Sequence, residues 1–137
     1  METIDNNYSD NEPPYFNLDE LRKISNNDQA FIQQMLEQFV KGAKQCGNDL
    51  VEHLERKDWS ALKAVAHKNI VSYTVLGIDN LAHNLKYIEH NAFDNEANEK
   101  ISEILKTFTK KNNQIIAAIN DHLRSMDREK VKEHVYY

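Results

Sequence analysis

The chain predicts an all-α fold, an antiparallel four-helix bundle with a short N-terminal helix, and three observations carry that expectation. Its apolar residues recur every three or four positions rather than in alternation, which is the spacing of a helix face and not of a strand. Only three Gly and two Pro interrupt 137 residues, too few for the turns of a sheet protein. That length also suits one compact domain with one core, so no second domain is expected.

Residues 1–14 are rich in Asn, Asp and Glu and end in Pro13-Pro14, a composition expected of a disordered tail. The folded domain is expected over 15–127. Asn17 can cap a short first helix with Glu20 three residues on, and Leu18, Leu21 and Ile24 give that helix a side to bury. Ser25-Asn26-Asn27-Asp28 should end it and cap the next. The second helix carries Phe31, Met35, Phe39 and Ala43 on one ridge and Ile32, Leu36 and Val40 beside it, then runs on through Leu50, Val51 and Leu54. Gly42 and Gly47 each cost about 1 kcal/mol in a helix interior, so a bend or break is expected there.

A third helix should open on Asp58 and close on Gly77. Trp59, Leu62, Val65, Ala66, Asn69, Tyr73 and Leu76 fall on one face of it, and His67 lies about 140° from the middle of that face, toward solvent. Asn69 on the buried stripe then needs a hydrogen-bond partner. Ile78, Leu81, Leu85 and Ile88 form a fourth helix, antiparallel to its predecessor because the turn at Gly77 is so short. Asp94 or Asn95 should cap the last helical segment, in which Ile101, Ile104, Leu105, Phe108, Ile115, Ile119, Leu123 and Met126 complete the bundle. The pattern fades after Asp127, so 128–137 are expected to fray.

A net charge of −5 argues against a nucleic-acid partner. No apolar run approaches the roughly 18 residues of a membrane span, and nothing resembles a signal peptide. The lone Cys46 has no internal disulfide partner, which points to a reducing cytoplasm. Six histidines raise the question of a metal, but none has the Glu three residues before it that bundle metal sites use, so no metal and no cofactor are expected. His83 and His90 share a helix face and read as surface residues; His53, His122 and His134 fit no ligand pattern. No nucleophile motif of a hydrolase and no phosphate-cradling glycine loop occurs. Lys106, Lys110 and Lys111 read as a solvated basic face of the last helix. His67 differs from the other histidines in its surroundings, because Ala64, Val71 and Val75 share its outward side and Ile70 borders it, as a contact surface would require.

Between Phe16 and Met126 the chain resembles the histidine-containing phosphotransfer (HPt) domains. The resemblance rests on Phe16-Asn17-Leu18-Asp19-Glu20-Leu21, Asn27-Asp28-Gln29-Ala30-Phe31-Ile32, Asp58-Trp59, Ala66-His67, Gly77 ten residues after that histidine, and the segment Leu81 to Glu89. It implies a four-helix bundle whose exposed histidine takes a phosphoryl group from a receiver-domain aspartyl phosphate and passes it to another receiver. His67 would be the phosphoacceptor, on an imidazole nitrogen that is nucleophilic when neutral. The receiver would supply the acidic residues, magnesium and lysine, so the bundle is a phosphocarrier rather than an enzyme. Lys63, Ala64, Lys68, Ile70, Val71, Thr74 and Val75 would form the docking surface. The partners implied are receiver domains of response regulators or hybrid histidine kinases in a two-component phosphorelay, met by a monomer with no membrane or nucleic-acid contact.

Family members usually carry Lys three and Gly four residues after the histidine, where this chain has Ile70 and Val71. Lys68 stands about 100° round the helix and Lys63 leans away from His67, so neither replaces that lysine in sequence terms. Val71 should lean back toward the ring. These departures define a second reading, an adaptor that docks on receivers or kinases without carrying phosphate. A third is a structural helical module whose outer patch joins copies of the chain.

Overall fold

A computed structural model describes residues 15–135, with side chains through Glu129. Among these residues there are five α-helices and no strand: α1 (Asp19–Ile24), α2 (Gln29–Glu55), α3 (Trp59–Val75), α4 (Asp79–Asn91) and α5 (Asn98–Val135), with a 3-10 turn at Asn95–Ala97 before the last. Each long helix packs on the next and α5 returns to α2, closing an all-helical bundle. The expected tail over 1–14 lies outside the described residues.

The starts of α2, α3 and the 3-10 turn follow from side-chain caps, whereas α1 and α4 begin at Leu18 and Ile78 without one. Asp28 accepts the N–H of Phe31, Asp58 that of Ala61 and Asp94 that of Glu96, each satisfying an amide that the helix itself leaves unpaired. Asn17 is not the cap of α1, whose N-cap is Leu18; it lies one residue outside, accepting the N–H of Asp19 at 2.8 Å and donating its own backbone N–H to Leu76 O at 2.7 Å, which fastens the entry segment to the end of α3. Tight turns follow where the backbone is left-handed, at Asn26 and Asn27 before α2, at Lys57 before α3 and at Gly77 before α4. Leu36, Leu50, Leu62, Leu85, Phe108 and Ile115, drawn from all four long helices, meet in one core with no measurable exposure.

Several expectations are corrected. α2 is one unbroken helix of 27 residues through Gly42 and Gly47, because the apolar residues on both sides of the glycines share one buried face. Leu18 and Leu21 are buried but Ile24 is 60% exposed, since a helix of six residues has too little length to lay three apolar positions on the core. Phe31 and Val51 are likewise exposed at the margins of the α2 stripe. α5 continues to Val135, beyond the end of its apolar pattern, and the rest of the expected tail lies outside the described residues. Lys111 is buried, leaving Lys106 and Lys110 as the exposed members of the expected basic face. No helix among the described residues is long and apolar enough to cross a membrane.

Candidate functional site

The rotation of α3 is fixed from its buried side. Leu62, Ala66 and Tyr73 are fully buried, and Tyr73 is wedged edge-on against Phe39 at 5.0 Å and tilted against Phe108 at 5.7 Å. Its hydroxyl donates to Asn112 Oδ1 at 2.7 Å, and Asn112 Nδ2 donates to Ala43 O at 3.0 Å. One buried chain of hydrogen bonds therefore joins α3, α5 and α2. Asn69 meets its requirement locally by donating to Val65 O at 2.8 Å. With α3 held at Ala66, the next residue turns about 100° away and His67 emerges with 73% of its side chain exposed.

His67 is not free-standing. Its Nδ1 lies 2.6 Å from Oε1 of Glu89, on α4, whose side chain is only 28% exposed. A carboxylate accepts and does not donate, so in the neutral imidazole the pairing places the proton on Nδ1 and the lone pair on Nε2. The contact is short, with Glu89 partly sheltered and His67 largely exposed to solvent. Glu89 belongs to the segment that carries the family resemblance, but sequence reasoning missed its role. The antiparallel turn is the signal that could have found it, because His67 stands ten residues before Gly77 and Glu89 twelve after.

One turn toward the start of α3, the ammonium of Lys63 sits over the ring of Phe93, 5.5 Å from its centroid. One turn toward the end, Val71 is 68% exposed, and with His67 as open as it is, Val71 leaves the ring accessible. Ala64, Lys68 and Thr74 are exposed as well, whereas Ile70 and Val75 are half-buried and pack on the core. The outward apolar patch is thus narrower on α3 than its sequence implies, but it is continued by α2. A groove of about 360 Å³ between the two helices is lined by Met35, Gln38, Phe39, Val71, Val75 and Leu76.

The remaining candidates are placed elsewhere. His83 is half-buried and His90 exposed on α4, and His122 packs its ring edge-on against Phe16 at 5.9 Å. No three His, Cys, Asp or Glu side chains among the described residues converge as metal ligands would. In comparisons with protein-family models, with curated proteins and with solved structures, nothing matches this chain.

Proposed function

We propose that the protein is a phosphorelay carrier that accepts a phosphoryl group on Nε2 of His67 from a receiver-domain aspartyl phosphate and passes it on. The observation that carries this reading is the exposed imidazole whose Nδ1 is tied to Glu89, so that the nitrogen with the lone pair is the one not held by that carboxylate. In the transfer, the Nε2 lone pair forms the N–P bond while the P–O bond of the acyl phosphate breaks, and its electron pair leaves on the receiver's aspartate. The proton on Nδ1 stays in place, the phosphorylated ring becomes cationic, and Glu89 lies against that new charge. No general base is needed. The half-buried Ile70 and Val75, the exposed Val71 and the groove beside them supply the apolar ground on which a receiver would dock. Receivers of this kind work in the cytoplasm, and a monomer leaves the α2–α3 face open to them.

Incubation with a phosphorylated cognate receiver should give an acid-labile adduct on the wild-type protein and none on His67→Gln. An undiminished adduct on that variant, or no adduct on the wild type, defeats the proposal. The adaptor reading is favoured by Val71 and Ile70 standing where the family usually has Gly and Lys. It expects receiver binding without transfer, and binding that persists in His67→Ala.

A further inference from the structure

Two side-chain pairs bridge α3 to the α4 side of the bundle in one register. His67 meets Glu89, and Lys63, four residues earlier, meets Phe93, four residues later. The pairs are therefore adjacent rungs about 6 Å apart along the helix axis. The ring of His67 leans toward the N-terminal end of α3, and so toward the Lys63 rung, because helix side chains tilt that way. Lys63 on α3 and Lys86 on α4 both leave their helices tilted away from the His67–Glu89 pair; Lys63 is the one whose ammonium is placed, on the rung next to His67. Lys63 carries three donors on a flexible stem, and its present partner, a 63% exposed aromatic face, holds an ammonium only weakly.

We propose that Lys63 is the counter-cation of phosphorylated His67, parked on Phe93 until the phosphoryl group arrives. The inference rests on the reading of His67 as the phosphoacceptor. A phosphoryl group on Nε2 brings a charge of about −2 to the nitrogen that Glu89 does not hold. That dianion outcompetes the quadrupole of one exposed phenyl ring for an ammonium one turn away. Lys63 thereby supplies, from one turn before the histidine, the positive charge that Ile70 does not supply one turn after it. It acts as a positioning residue, biasing the protonation and orientation of the phosphoryl group without forming or breaking a bond.

The test loads His67 with phosphoramidate, which needs no receiver, and follows the ³¹P resonance that is lost in His67→Gln as pH is varied. A nearby cation favours the dianion, so the phosphoryl titration midpoint in Lys63→Gln should rise by the equivalent of about a two- to fivefold weaker acid. Lys63→Arg should keep the wild-type midpoint, Phe93→Leu should lower it by freeing the lysine, and Lys44→Gln, on the α2 face toward α5, should leave it unchanged. A Lys63→Gln midpoint equal to the wild type, an equal shift in Lys44→Gln, or a rise in Phe93→Leu overturns the inference. Should phosphoramidate give these shifts while receivers transfer nothing, the carrier reading falls and the counter-cation stands. Transfer from receivers with an unmoved midpoint overturns the counter-cation alone; where phosphoramidate does not label His67 the same titration is read on protein loaded by a receiver, and failure of both donors overturns both.

Discussion

At the scale of single residues, the Glu89 carboxylate 2.6 Å from Nδ1 would, in the proposed transfer, decide which nitrogen of His67 reacts. Glu89→Ala removes the acceptor, so the imidazole proton distributes between both nitrogens and part of the population presents Nε2–H, which has no lone pair to offer. Because His67 is largely exposed, the contact is screened, and the expected loss in phosphotransfer rate is about two- to fivefold rather than orders of magnitude. Glu89→Gln keeps an acceptor without the charge and should fall between. Ring ¹⁵N shifts of His67 measure the tautomer directly, and an Nδ1–H population unchanged in Glu89→Ala would show that Glu89 does not set it. His67 itself was legible, since a histidine off the apolar stripe of α3 is visible in any helical projection. Glu89 and Phe93 were not, because contacts across two helices depend on the register set by the turn at Gly77, which periodicity along one helix does not encode.

Glycine shows how the same residue type has opposite meanings in different elements. Gly77 turns α3 into α4 with φ of 67°, and a Cβ there would stand 2.7 Å from Cβ of Asn17. Gly77→Ala therefore incurs left-handed strain of about 1–2 kcal/mol and also displaces the entry segment, whose Asn17 N–H is bonded to Leu76 O. A total loss of about 2–4 kcal/mol is expected. Gly42 lies in the middle of α2, and a methyl group added there would have nothing within 4 Å, so Gly42→Ala should stabilise by about 1 kcal/mol. Urea denaturation of the two variants checks both signs, and a neutral Gly77→Ala would show that the turn and the entry segment tolerate a side chain. The sequence marked Gly77 correctly as a turn because it sits between two apolar patterns. It misjudged Gly42 and Gly47, since helix propensity is a local quantity and α2 is held together by the core along its length.

Across the whole molecule, the four-helix architecture was readable because every long helix carries apolar residues at helical spacing and the turns are short. The polar centre of the bundle was not. Asn112 belongs to the run Lys110-Lys111-Asn112-Asn113-Gln114, which looks like solvated surface, yet it is buried where α2, α3 and α5 meet and is bonded to Tyr73 and Ala43. Removing the Tyr73 hydroxyl by Tyr73→Phe leaves the Asn112 carbonyl oxygen without that donor, and a buried polar group so abandoned costs about 1–3 kcal/mol at neutral pH. The same node governs behaviour in alkali. Burial pushes the Cys46 thiol up to about 12 and raises the Tyr73 phenol above its usual range, with the neighbouring Cys46 adding to the latter. In the unfolded chain the thiol ionises from about pH 8.5 and the phenol from about pH 10. Between those values and the raised native ones, the unfolded state holds fewer protons than the native state, so stability falls as pH rises. Full stability is expected below about pH 8.5, with a progressive loss above it. Tyr73→Phe should be less stable than the wild type at pH 7 but lose less on going to pH 11, because one of the two protons at issue has been removed. Denaturation midpoints at both pH values measure this, and parallel losses in the two proteins would show that Tyr73 does not contribute to the alkaline limit of the bundle.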